Sequence, residues 1–402
     1  MEGSKLKKVR SLMAGWNFTI RGLRPIGLDL GHNSIRMIQL VINGEQISVH
    51  AADEIRIDPD VNGDGQERRS FIVSAIRRML AQNNFRGKNV ISCLPSGTLK
   101  ITSLRLGEAD KEETELALRR EVVQRFNLDP DKDAMDYVVA GNVRQGDELK
   151  NELILFAADS ETINNHISML EEAGLTPVGI DTIPGALFRS FERSLRRQED
   201  KEGTLVFVDV GSSFTTVVFG RGGDISFVKQ ITIGGERFVK EVAARLGISV
   251  HEARMLRESL WAEKRLSTAN TTPGEPESSD RWEKLDASTR QTIVDAVTTV
   301  AEEMAREISL CLRYYTVTFR GKRVERAVFA GGGAYEDILL SVLRRQLTVE
   351  VEVAQPLRGF DLSNERASIN FDSDRRGLLC EWAVAVGLAL KDCEKAKVTS
   401  VI

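Results

Sequence analysis

Two apolar strands in this 402-residue chain end in the same corner, Asp29-Leu30-Gly31 and Asp209-Val210-Gly211, and each corner runs straight into a second strand. One such corner is most simply an ordinary turn. Two of them, one in each half, mark a duplicated hairpin and require a fold of two comparable lobes.

The first unit runs from Pro25 to Leu40, turns at Asn43-Gly44 and resumes at Ile47; the second runs from Leu205 to Phe219, turns at Gly222-Gly223 and resumes at Ile225. β-Branched and aromatic residues flank both corners, as strands demand. Gly31 and Gly211 lack a Cβ, so a phosphate can approach the backbone and accept its N–H bonds. Candidate contacts are therefore Gly31, His32, Asn33, Ser34 and Arg36 on the first unit and Gly211, Ser212, Ser213 and Thr215 on the second. Asp29 and Asp209 end their strands with hard oxygens suited to Mg²⁺ or its waters. A third element joins the apolar strand Ala327–Ala330 through Gly331, Gly332 and Gly333 to a helical pattern over Tyr335–Leu343. Read alone, it is a flexible strand-to-helix turn.

Hairpin, hairpin, then a glycine-rich strand-helix junction is the motif order of the actin, heat-shock chaperone and sugar-kinase superfamily, which this chain resembles. In that superfamily the third element holds the adenosine. Several stretches resemble one family more closely, the PilM proteins, cytoplasmic actin-like components of type IV pilus assembly. These are Val90–Gly97, the charged helix Lys111–Phe126, Asp136–Val139, Leu153–Ala158, Glu172–Asp181, Pro184–Arg189 and Ile233–Phe238. The matches spread over most of residues 25 to 390.

The resemblance implies an α/β, actin-like (duplicated ribonuclease H-like) two-lobe fold with an inserted small α+β subdomain. It divides the chain into a leader at 1–24, a first lobe at 25–185 with the insertion at about 88–160, a second lobe at 186–380, and a C-terminal helix and tail at 381–402 returning to the first lobe. It implies ATP and Mg in a central cleft. Gly235 and Glu236 would lie near the ribose, and Asp181 would face the metal or a water near the terminal phosphate. Read from the sequence alone, Asp181 and Glu236 serve equally as charges at helix N-termini. The implied partner is the short cytoplasmic N-terminal segment of a PilN-like inner-membrane protein, held between the first lobe and the insertion, with pilus motor ATPases as further partners. The implied location is cytoplasmic, peripheral at the inner membrane.

The chain departs from the family at the site. His32 stands where a small hydroxyl residue is common, and Arg36 where Lys is usual, with a planar fork in place of an ammonium. Val239, Arg254 and Arg257 stand where the family places Thr, Glu and Lys near the ribose. No residue presents itself to orient an attacking water, so the expected activity is at most slow ATP hydrolysis. Two alternatives belong to other classes. An FtsA-like polymerising division protein would carry a C-terminal membrane helix, for which Lys395–Ile402 is too short. A small-molecule kinase would need a substrate pocket with a catalytic carboxylate, and nothing in the sequence marks one.

Charge excludes a general nucleic-acid role, since 55 basic and 59 acidic side chains leave a net −4. The leader is the local exception: Lys5, Lys7, Lys8, Arg10, Arg21 and Arg24 stand against Glu2 alone, interleaved with Leu6, Trp16 and Phe18. It reads as a basic amphipathic contact for anionic lipid or as a disordered leader. No apolar run approaches the roughly 20 residues of a membrane span. Cys93, Cys311, Cys380 and Cys393 have no metal-ligand spacing and read as reduced thiols. His166 and His251 are expected on helix surfaces. One helix is expected over Glu236–Trp261 and another over Leu285–Tyr315, joined by a flexible loop at about 262–284. Asp58–Gly65 lacks the last ligand of a calcium loop and reads as a turn before a helix at Arg69–Ala81.

Overall fold

The computed structural model describes residues 22–57, 65–107, 110–192, 203–257, 286–319, 324–363, 368–371 and 378–391. The leader through residue 21, the loop at 262–284, most of the Asp58–Gly65 turn, Cys393 and the tail lie outside these residues.

Each lobe is built on one sheet with the same plan. In the first, β1 (Ile26–Leu30), β2 (Ser34–Asn43) and β3 (Gln46–Arg56) form an antiparallel meander, and β4 (Asn89–Cys93) and β8 (Thr176–Asp181) add in parallel beyond β1. In the second, β9 (Thr204–Val210), β10 (Thr215–Arg221) and β11 (Asp224–Ile231) form the meander, and β12 (Val324–Ala330) and β13 (Glu350–Val353) add beyond β9. The repeated corners therefore occupy equivalent places, at the carboxyl end of the central strand of each sheet.

Period-2 alternation lets each strand feed two cores. On β2, Ile35 and Met37 pack under α1 (Gln66–Gln82) and α3 (Ser160–Glu172), whereas Ile38 and Leu40 point to the opposite face, toward Trp382, Ala385 and Val386. That opposite face is covered by α4 (Ile183–Glu192) and α8 (Ala383–Ala389). In the second lobe the sheet is covered by α5 (Gly235–Leu246), α6 (Ala287–Thr318) and α7 (Asp337–Gln346). α4 reaches across to this sheet, with the Phe191 ring stacked on Phe207 at 5.2 Å.

The insertion is a three-stranded sheet of order β5-β7-β6, comprising β5 (Lys100–Leu106), β6 (Ala134–Gln145) and β7 (Glu148–Ala158), with α2 (Lys111–Glu121) on one face. β7 again alternates: Leu153, Leu155 and Ala157 face α2, and Ile154, Phe156 and Ala158 join the core of the second lobe. The Arg105–Glu152 pair (2.7 Å) adds a polar tie, since Arg105 also donates to the Tyr314 hydroxyl on α6 at 3.3 Å. The expected start near residue 88 shifts inward, because β4 is paired with β1 in the first sheet.

Three further expectations change. The helix expected over Glu236–Trp261 breaks at Gly247, whose φ of 66° ends α5 in a left-handed cap, and helix resumes over 250–257. The chain leaves the second lobe earlier than residue 380, since Leu357 and Phe360 already pack with the first lobe and β14 (Ser368–Ile369) pairs with β3. His166 is not on a helix surface but buried, with Nε2 2.8 Å from Ser92 Oγ.

Candidate functional site

The two corners face each other across a cleft of about 920 Å³ between the lobes. Their glycines are matched in detail: a Cβ on Gly31 would lie 3.0 Å from the Ser34 carbonyl oxygen, and a Cβ on Gly211 would lie 3.0 Å from that of Phe214. A tight return of the backbone, rather than unusual torsion, is what requires glycine here. The Gly211 N–H is spent inside its own turn, donating to the Phe214 carbonyl at 3.0 Å. The Gly235 and Glu236 N–H groups likewise donate to the Gly211 and Ser212 carbonyls, both at 2.9 Å, so these first amides of α5 serve the hairpin.

The third element closes the floor. Gly331, at φ 82°, brings the backbone so near that a Cβ would meet Asp209 Oδ1 at 2.5 Å and the Val210 carbonyl at 2.6 Å. A Cβ on Gly332, by contrast, would meet nothing within 4 Å.

Beneath the corners lies a carboxylate-rich base. Register places Arg36 opposite both Asp29 on β1 and Glu54 on β3. The guanidinium bonds Glu54 at 2.8 Å and approaches Asp29 at only 3.8 Å. Burial pushes the Asp29 carboxyl up to about 6, against the pull of Arg36. Burial, reinforced by the field of Asp29, pushes Asp209 up to about 7. Arg36 is committed first to Glu54, so the base is short of positive charge at Asp29 and Asp209.

On the second lobe's wall, Arg257 pairs with Glu336 at 2.8 Å, both buried, and its guanidinium sits 5.4 Å from the Phe238 ring centroid. It also donates to the Gly235 carbonyl at 3.4 Å. Arg257 thus ties α5 to the glycine junction. Arg254 and Val239 line the same wall, and His251, exposed on the helix over 250–257 as expected, stands at its edge.

Of the residues expected from the sequence, Asp29, Gly31, His32, Asn33, Ser34, Arg36, Asp209, Gly211, Ser212, Ser213, Gly235, Glu236, Gly331, Gly332 and Gly333 all line this cleft. Thr215 does not. It is fully buried, and its hydroxyl donates to the Ile233 carbonyl at 2.7 Å. Asp181 is also off the wall, with its carboxylate 2.9 Å from Arg189 and 3.5 Å from Lys391. Sequence reasoning missed Glu54 and Arg68; the strand pairing that sets Glu54 opposite Arg36 was the signal for the first, and Arg68 gave none.

Two sheets of one plan, facing corners and a glycine-rich floor between them define an actin-like, two-lobed protein. The family model described as type IV pilus assembly protein PilM matches residues 27–264 and 271–393, and the chain belongs to that family. The fold is similar to the structure of a PilM-PilN type IV pilus biogenesis complex, with a TM-score of 0.68 at 20% identity, covering 91% of this chain and 98% of that one. It is also similar to the ethanolamine utilization protein EutJ from Carboxydothermus hydrogenoformans, with a TM-score of 0.51 at 16% identity over 96% of this chain and 97% of that one. No described helix is long and apolar enough to cross a membrane.

Proposed function

We propose that the chain is a cytoplasmic, nucleotide-binding scaffold of type IV pilus assembly that takes Mg·ATP in the cleft. The observation that carries this reading is the pair of matched corners set against each other over a base of under-neutralised carboxylates. Asp29 and Asp209 fit a hard cation: both are held above the usual carboxylate range by burial, and among the described residues the Asp209 carboxylate has no hydrogen bond or ion pair. Among the described residues there is no cluster of three or more metal-ligating side chains, so phosphate and water would complete any coordination. A bound Mg²⁺ would neutralise phosphate charge. Ser212, Ser213 and Asn33 offer polar groups to the phosphates, Gly332 leaves space for the nucleoside while Gly331 and Gly333 pack against the second corner, and Arg36 adds a fixed positive charge.

The same geometry favours binding over turnover. Asp181, the carboxylate expected near the terminal phosphate, is committed to Arg189 and Lys391. The partner in this reading is the N-terminal cytoplasmic segment of a PilN-like inner-membrane protein, and the similar PilM structure is itself a complex with PilN. An extended segment between the first lobe and the insertion suits strand addition or an apolar groove. Contact with pilus motor ATPases, and of residues 1–24 with lipid, complete the proposal.

Calorimetric titration with Mg·ATP tests it. Binding is expected, and the double substitution Asp29→Asn, Asp209→Asn is expected to weaken the magnesium-dependent part at least about tenfold, as loss of charged ligands does. A chain that binds no adenine nucleotide with or without magnesium overturns the reading.

A further inference from the structure

The two corners are bonded to each other. His32 Nε2 on the first lobe lies 2.7 Å from Glu236 Oε1 on the second. Beside that pair, Asn33 Nδ2 donates to Ser212 Oγ at 3.1 Å, and Ser212 Oγ donates to the same Glu236 oxygen at 3.4 Å. All four residues line the cleft.

Both sides of this contact are braced from behind. Arg68 on α1 donates to the Gly31 and His32 carbonyls at 3.0 and 3.1 Å. On the other side, α5 holds the second corner through the Gly235 and Glu236 amides. The bonds therefore join two fixed turns. They also occupy groups that a phosphate chain needs, namely the Ser212 hydroxyl, the Asn33 amide and the His32 ring. Glu236 supplies a carboxylate where a ligand would bring its own negative charge.

We propose that the His32–Glu236 and Asn33–Ser212 contacts form an interlobe latch across the phosphate site, opened by a polyphosphate that takes the place of the Glu236 carboxylate. The proposal rests on the nucleotide reading and names how that site is regulated: an internal carboxylate competes with the incoming anion. A single phosphate replaces one partner and leaves the neighbouring bond in place. A polyphosphate replaces both. His32 and Glu236 are 34% and 23% exposed, so water screens the pair. A screened pair of this kind shifts an equilibrium up to about fivefold, enough to tune affinity and too little to keep the lobes shut against a ligand.

Glu236 also has a plain structural use as an acid in the first turn of α5, and the test must separate the two roles. Magnesium tripolyphosphate is the probe, because it carries no ribose for Glu236 to contact. Calorimetry compares the unsubstituted chain with Glu236→Gln, His32→Ala and the double variant. Glu236→Gln is expected to bind tripolyphosphate about fivefold tighter, with the gain lost in the His32→Ala background because no ring remains to be released. An equal gain in both backgrounds shows that Glu236 acts by simple repulsion and overturns the latch, as does no gain.

Hydrogen exchange gives a second readout without ligand. Amides at 31–34 and 211–214 are expected to exchange faster in Glu236→Gln and in Asn33→Ala than in the unsubstituted chain, and unchanged exchange overturns the latch. Orthophosphate is expected to leave the exchange of the unsubstituted chain as it was, while tripolyphosphate alters it. If no protein in the set binds tripolyphosphate or Mg·ATP, the nucleotide reading and the latch fall together. If all bind alike and exchange alike, only the latch falls.

Discussion

His166 shows at the scale of one residue how burial changes what a side chain does. Its imidazole is held down to about 4, because burial disfavours the charged form. The unfolded chain takes up that proton near pH 6.5, the folded chain only near 4. Stability from this residue is therefore complete above about pH 6.5 and is lost as the pH falls toward 4, by about 1–3 kcal/mol. Urea unfolding at pH 7 and pH 4.5 checks this, and His166→Gln is expected to show a smaller difference between the two. The sequence made the aspartate corners legible because turn chemistry is local. It did not reveal Thr215, because strand parity depends on register. The pairing of β10 with β11 brings the Ile233 carbonyl within 2.7 Å of the Thr215 hydroxyl, which is buried there and not offered to the cleft. Asp181 was obscured for another reason: one of its partners, Lys391, lies far along the chain.

Among the elements, the break after α5 matters most. A left-handed glycine stops one helix and starts another, which carries Arg257 back to Glu336 and Phe238. Arg257→Met is expected to cost about 3–5 kcal/mol, because it removes the charged partner 2.8 Å from the buried Glu336 carboxylate; equilibrium denaturation measures it. Restoring a neutral partner with Glu336→Gln in the same background is expected to recover part of that loss. The apolar periodicity of 236–261 is helical throughout, so the pattern alone showed two helices as one; Gly247 was the available signal. The long helix was readable because its stripe is regular: Ile293, Val297, Val300, Met304, Ile308 and Leu312 are all buried. The insertion's α2 was readable from charge and periodicity, whereas its seat against the second lobe was not, because one strand, β7, feeds two cores.

For the whole molecule, the fold was recoverable from the order of three short motifs, and the relation of the lobes was not. The tightest helix crossing beside the lobe boundary is that of α4 and α8. A Cβ on Gly387 would lie 1.8 Å from the Ala186 carbonyl oxygen, so Gly387→Ala must push these helices apart. The expected loss is about 2–3 kcal/mol by overpacking, read by thermal unfolding. If nucleotide governs the partner groove through lobe closure, a PilN-like N-terminal peptide is expected to bind with different affinity in the presence and absence of Mg·ATP. Equal affinities would separate the two sites. At Gly387 the backbone of α8 rests directly on that of α4. Because α8 packs on the first lobe's sheet and α4 also stacks Phe191 on Phe207 of the second, this one bare point rivets the two halves together.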